Sequence, residues 1–263
     1  MNPVTLSKGE QRRKDILDRL HKNGKIFVQD IVEQLQCSEA TARRDLDLLE
    51  KSAGIIRTIG GALYEPGMVR EEPFNEKKEK CWAEKQAIAR KVMDLIVEGD
   101  VIGLSGGTTT YLISKELKKR EGITVVTNAV NIAMELADSE GIQVVVIGGV
   151  MRKKSYELSG PLAEHMIENL HIGKTFLGID GLSIDRGIMT YSELEAHTAR
   201  MLIRQSKQTF AVFDHTKIEQ TSLFIVAPLH ELSGIVTDRS LDESYASQLQ
   251  KQGLELFIGN DFN

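Results

Sequence analysis

The stretch Ser105-Gly106-Gly107-Thr108-Thr109-Thr110 has the composition of an anion-binding turn. It follows an apolar run, Val101–Leu104, and opens a helical pattern. Glycines let a backbone approach an anion closely, and a helix N-terminus offers free N–H groups with a partial positive charge. The stretch is neither a G-x-G-x-x-G fingerprint nor a Walker loop, because no lysine follows its glycines. Its plainer reading is a tight strand-to-helix turn with threonine caps. Other polar segments also stand at the ends of apolar runs: Thr127-Asn128, Gly148-Gly149, Gly178-Ile179-Asp180-Gly181 and Asp214-His215-Thr216-Lys217. Open α/β sheets bind ligands outside the carboxyl ends of their strands. Ser105, Gly106, Gly107, Thr108, Thr109, Thr127, Asn128, Gly148, Asp180 and Lys217 are therefore expected around one pocket. Lys217 is the cation for a phosphate, and Asp180 and Asn128 suit sugar hydroxyls. Taken singly, each is a loop or cap residue, and Lys217 a surface lysine.

Other chemistries have less support. The six histidines are scattered, and Glu193 with His197 is an i,i+4 pair of ligand type on a helical stretch; an exposed helix face explains it better than zinc. Cys37 and Cys81 form neither a disulfide framework nor a metal cluster, and Cys81 lacks the neighbours that activate a nucleophile. No catalytic group, metal or cofactor is expected. No apolar run approaches the roughly 20 residues that span a bilayer, and the first residues have no apolar signal core. A cytoplasmic protein without a membrane partner is expected.

A second set of residues lies near the N-terminus. The chain has a net charge of −5, but residues 1–64 hold 11 Lys and Arg against 9 Asp and Glu, a net of +2, which leaves −7 for the rest. Only this segment is a candidate for contact with nucleic-acid phosphates. Ile16, Leu17 and Leu20 recur at helical spacing until Asn23-Gly24; a short helix is expected over 29–35; Ser38 suits the N-cap of a third, running to about Lys51 before Gly54. On that third helix Ala42, Leu46 and Leu49 share a face at about 100° per residue. Thr41, Arg44 and Lys51 lie opposite, with Arg43 on a flank. Residues 55–59 then read as a strand, Gly60-Gly61 as a turn, and 62–64 as the returning strand. Three helices, a tight turn and a terminal hairpin match a winged helix–turn–helix, whose last helix enters the major groove. Ser38, Thr41, Arg43, Arg44, Lys51 and Arg57 are the expected contacts to double-stranded DNA: arginine can bond two guanine acceptors at once, and Arg57 on the wing suits a phosphate.

Residues 65–80 hold two prolines and many charges and read as a linker. Beyond them strand-like runs (101–104, 124–127, 144–147, 175–179, 210–213, 234–237, 254–258) alternate with helical stretches near 84–97, 109–120, 130–138, 161–169, 193–206 and 241–251. Such alternation indicates a parallel-rich sheet covered by helices. The expected organisation is a mostly α DNA-binding domain over 1–64, a linker over 65–80 and an α/β effector-sensing domain over 81–263.

Residues 8–63 resemble the winged helix–turn–helix of the DeoR family of bacterial regulators, through Ser38-x-x-Thr41-x-Arg43-Arg44-Asp45-Leu46-x-x-Leu49-Glu50 and Ile56-Arg57-Thr58-Ile59-Gly60-Gly61-Ala62. The family usually has Ile at position 42 and His at position 59. Residues 75–257 resemble its sensor domain, through Glu84-Lys85-x-x-Ile88-Ala89, Gly106-Gly107-Thr108-Thr109, Val126-Thr127-Asn128, Gly148-Gly149, Phe176-x-Gly178, Asp214-His215-x-Lys217 and Ile235-x-Thr237-Asp238. The resemblance implies a sensor similar in fold to ribose-5-phosphate isomerase and the CoA transferases, a phosphosugar effector, and repression of a carbohydrate operon. That kinship raises an alternative, a sugar-phosphate isomerase, which needs a positioned general base. In those enzymes a Gly-Ala-Asp-Glu segment supplies it; here Gly181 stands where the Glu would be. Glu193 or Glu195 could still approach the pocket, although Ser192 with Glu195 reads as a capping box. Paired half-sites in DNA favour a homodimer or tetramer.

Overall fold

The computed structural model describes residues 7–53, 55–58, 60–64, 72–239 and 241–259, and only the backbone of residues 51–53, 56 and 57. Gly54, Ile59 and residues 65–71 of the expected linker lie outside the described residues. The chain divides into two units, Met1–Arg70 and Glu71–Asn263.

Unit 1 contains α1 (Lys8–Asn23), β1 (Lys25–Phe27), α2 (Val28–Leu35), α3 (Glu39–Ala53), β2 (Ile56–Thr58) and β3 (Gly61–Leu63). Ser7 and Glu10 cap α1 reciprocally. Gly24, at φ +71°, ends it in the left-handed conformation that glycine adopts without cost. Strand β3 runs antiparallel between β1 and β2, forming the wing. Ile16, Leu20, Ile31, Ala42, Leu46, Leu49 and Ile55 make the core, which the 3.6-residue periodicity anticipated. Gly61 cannot be replaced without a shift of backbone, because a Cβ there would sit 2.0 Å from the Ile26 carbonyl oxygen. Its close approach is to β1.

Asp45 is buried on α3 and takes ion pairs from Arg12 and, at 3.2 Å, Arg13, both on α1. Removing one partner of a fully buried pair costs about 3–5 kcal/mol. These arginines remain partly solvated, so Asp45→Ala is expected to cost unit 1 about 1–2 kcal/mol. Amide exchange of α1 and α3 in the full chain would measure it, and unchanged protection would rule the clamp out.

Unit 2 opens with α4 (Phe74–Glu79) and α5 (Trp82–Val92), so the latter part of the expected linker is helical. Phe74 is buried, its ring edge-on to Tyr111, and its N–H donates to the Lys154 carbonyl. The run of lysines and glutamates around it reads as solvated chain, but this one aromatic docks it. There follow β4 (Val101–Leu104), α6 (Thr108–Leu117), β5 (Ile123–Thr127), α7 (Val130–Leu136), β6 (Ile142–Val146), β7 (Val150–Met151), β8 (Leu158–Ser159), α8 (Pro161–Ile167), β9 (Ile172–Gly178), β10 (Gly181–Ser183), β11 (Gly187–Thr190), α9 (Glu193–Arg204), β12 (Ser206–Val212), β13 (Phe224–Ala227), β14 (Gly234–Thr237), α10 (Glu243–Lys251) and β15 (Glu255–Ile258).

Seven strands form one parallel sheet in the order β15-β14-β12-β9-β4-β5-β6. Alternate strand residues feed two cores. Ile102, Leu104, Val125, Phe176 and Phe210 pack with α5, α6 and α7, and Val126, Leu177 and Ala211 with α8, α9 and α10. The chain fills the sheet outward from β4 to β6, then returns to β9 and builds in the opposite direction. The order therefore reverses between β4 and β9, the position at which open α/β sheets bind ligands.

Candidate functional site

On α3 the expected DNA-facing set is split by role. Ser38 Oγ accepts the Thr41 N–H (3.2 Å) and pairs with Thr41 Oγ1 (2.8 Å), so Ser38 caps the helix. Arg43 and Arg44 are exposed, on the side away from buried Ala42, Leu46 and Leu49. Arg43 pairs with Glu39 at 2.5 Å. Arg44 has no ion-pair or hydrogen-bond partner among the described residues. The side chains of Lys51 and Arg57 lie outside the described residues.

In unit 2 the β4–α6 loop sits at the reversal point. Ser105 Oγ donates to the Gly106 carbonyl and accepts the Gly178 N–H from β9 (3.0 Å). Gly107, at φ +132°, is the N-cap of α6 and has no side chain with which to cap it. The N–H groups of the first turn thus lack a local acceptor. Thr108 and Thr109 are buried, and their hydroxyls bond to none of the described residues. One acceptor does reach the loop: the carboxyl of buried Glu157, which accepts the Gly106 N–H at 2.8 Å and the Asn128 side-chain N–H at 3.3 Å.

Glu157 begins a chain of polar contacts. It lies beside Glu195, which meets Arg152 at 3.2 Å and accepts from Thr190 at 3.1 Å. Thr190 also approaches Asp180, which accepts the Tyr191 N–H and pairs with Lys77 of α4. Burial, then the neighbouring Glu195, pushes the Glu157 carboxyl well above the usual range. Burial would likewise raise Asp180, but Lys77 and Lys217 hold it down to about 2. Lys85 is buried beneath α4; burial lowers its pKa, although Asp214 lies 3.9 Å away and its ammonium bonds the Lys77 and Lys80 carbonyls.

The raised Glu157 sets a pH dependence. Its folded pKa exceeds the unfolded value of 4.5, so above 4.5 the folded state binds more protons than the unfolded one. Stability then falls as pH rises through that window. Glu157→Gln keeps the acceptor for Gly106 and removes the titration. At pH 8 its melting temperature is expected to exceed wild type by about 2–4 °C, with no gain at pH 4. An equal offset at both values would show that Glu157 does not titrate this way.

Of the expected effector residues, Ser105, Gly106, Asn128 and Asp180 enter this array directly or through Glu157 and Gly178. Thr127 is structural, donating to the Leu104 carbonyl and accepting the Ala129 N–H. The Gly148 N–H points at Met166 Sδ on α8, and no hydrogen bond among the described residues links it to the array. Glu193 is exposed and His197 pairs with Glu164, so that i,i+4 pair does not form. The capping box at α9 is half made: Ser192 accepts the Glu195 N–H, while the Glu195 carboxylate serves Arg152 and Thr190. Among the described residues no group of three or more His, Cys, Asp or Glu could hold a metal, and no helix is long and apolar enough to cross a membrane.

The DeoR C-terminal sensor domain model matches residues 80–239, and the DeoR-like helix-turn-helix model matches residues 12–65. The chain belongs to the DeoR family. It is a transcription regulator, as its relatives are, rather than a sugar-phosphate isomerase. The HTH-type transcriptional repressor GlcR of Bacillus subtilis is 34% identical over 95% of this chain and 96% of its own. The lactose phosphotransferase system repressor of Lactococcus lactis is 32% identical over 92% and 96%. Among solved structures, ribose 5-phosphate isomerase from Methanocaldococcus jannaschii covers 53% of the chain and 55% of its own at 16% identity, with a TM-score of 0.41.

Proposed function

We propose that this DeoR-family regulator represses a carbohydrate-use operon and releases its operator when a phosphorylated sugar binds unit 2. Thr41, Arg43 and Arg44 of α3, with Lys51 and with Arg57 of the wing, contact double-stranded DNA in the cytoplasm. The effector phosphate is received by the Gly106-Gly107-Thr108-Thr109 loop with Lys217, and the sugar hydroxyls by Asn128 and Asp180. The observation that carries the effector assignment is the uncapped N-terminus of α6 at the reversal point of the sheet, with Lys217 close enough to depress Asp180. The name of the Lactococcus relative points to sugar control in the same direction.

The protein acts as a homo-oligomer, matching paired half-sites. Exposed Val146 on the sheet's edge strand, Val150, Leu162 and Met166 offer an apolar surface for a second copy. The deciding experiment is a salt-series mobility shift on the protein's own promoter, combined with a thermal-shift screen of phosphorylated sugars, since a ligand of the folded state raises its apparent stability. A hit that also abolishes the shift is the expected outcome. A protein that binds no promoter DNA, or is indifferent to every phosphosugar, would overturn the proposal.

A further inference from the structure

The Gly106 loop in this structure already holds an acid. Glu157 lies 51 positions downstream, on the hairpin of β7 and β8, and its carboxyl takes the Gly106 N–H that an anion would take. The fit is tight: a Cβ on Gly106 would lie 2.2 Å from Glu157 Cγ. The neighbouring Asn128 is also buried, and its Oδ1 has no hydrogen-bond partner among the described residues, although its Nδ2 bonds Glu157 and the Leu158 carbonyl. A polar atom left unpaired in this way costs free energy unless a donor such as a sugar hydroxyl arrives. The hairpin is held under local strain. Tyr156, directly before Glu157, has φ +62°, a conformation rare outside glycine.

We infer that Glu157 is an internal occupant of the effector's anion seat, and that the effector phosphate binds by displacing it. This rests on the proposed anion role of the Gly106 loop. Phosphate outcompetes the carboxyl because it offers more acceptor oxygens and full charge to the free N–H groups of α6. Displacement reports to unit 2's first helix. Tyr156 packs its ring against Phe74 (5.5 Å between centroids) and bonds Asn75, and the Lys154 carbonyl accepts the Phe74 N–H. Helix α4 is the first described helix after the segment joining the two units, so a hairpin that loosens when Glu157 leaves loosens the anchor of α4. Glu157 thereby sets both the effector threshold and the start of the response.

The test is calorimetric titration of the full chain with inorganic phosphate. Glu157→Ala is expected to bind about tenfold more tightly than wild type, the scale of one or two hydrogen bonds no longer displaced. Glu157→Gln, whose amide oxygen still accepts from Gly106, is expected to stay within about threefold of wild type. A damaged fold would weaken binding, so a gain in affinity cannot come from misfolding. Equal or weaker binding by Glu157→Ala, with wild type binding normally, overturns the internal-occupant inference alone. Phosphate binding by neither protein overturns the anion reading of the loop and this inference with it. Should Glu157→Ala fail to fold, amide exchange in wild type decides: saturating phosphate is expected to accelerate residues 156–158 while Gly106 stays protected. Unchanged exchange at 156–158 overturns the displacement.

Discussion

Replacing Arg44 with alanine is expected to lower operator affinity by about 10–100-fold per half-site at fixed salt, the value of one good bidentate base contact. Arg44 is singled out from its neighbour by its partners. Arg43 is engaged by Glu39 one turn earlier, whereas Arg44 stands exposed with no partner among the described residues. The guanidinium therefore leaves no intramolecular bond behind when it meets DNA. Its direction is fixed from below, because Asp45 on the adjacent position is clamped to α1 and cannot rotate outward without stranding a buried carboxylate. Arg43→Ala is expected to cost less, since Arg43 must first leave a surface pair, itself worth under about 1 kcal/mol. The salt dependence separates two kinds of contact: loss of a phosphate contact lowers the slope of log K against log salt by about one, while loss of a base contact changes sequence preference at constant slope. Gel-shift titration of Arg44→Ala, with a phosphosugar thermal shift as the fold control, makes the measurement. Unchanged operator affinity would remove Arg44 from the interface.

The N-terminal unit was the more legible because its signals are local. Caps, a left-handed glycine and a 3.6-residue apolar period each lie within one element, and α1, α2 and α3 follow them closely. In unit 2 the seven strands of the parallel sheet also carry their own apolar runs. The antiparallel sheet of β10, β11 and β13 is less legible: β10 and β11 have only three and four residues, and β13, although apolar, pairs with β11 across α9 and β12. The site divides the same way. The Gly106 loop announces itself by composition. Glu157 does not: a lone glutamate before a Leu-Ser step reads as surface, and what reveals its place in the loop is a contact spanning 51 positions. Glu195 was visible as a helix-start residue, but its partner Arg152 lies in another loop. Lys77 hid in a charge run, and its function comes from Asp180, 103 positions on.

Lys217→Ala is expected to raise the phosphosugar concentration for half-release of operator by about 10–100-fold, the loss of one charge-assisted bond. Three lysines stand near Asp180 and Asp214, and two are already spoken for. Lys77 is paired with Asp180, and Lys85 is buried against two backbone carbonyls and Asp214. Lys217 is half-buried, has no ion pair among the described residues, and still acts on both Asp180 and Lys85. It is thus the cation available to an incoming phosphate. Removing it also withdraws positive charge from Asp180, but Lys77 remains, so the array stays neutralised and the apo fold is retained. Operator affinity without effector is accordingly expected to stay within about twofold, since Lys217 is not among the residues of unit 1 that meet DNA. Lys217→Arg separates charge from shape: if the phosphate needs only a point charge, arginine restores much of the response, and if the seat is sized for the ammonium, it does not. A Lys217→Ala protein released at wild-type effector concentrations would place the phosphate elsewhere. The same variant separates the lysine's role from that of Glu157, because losing a cation and losing an internal competitor move the release curve in opposite directions.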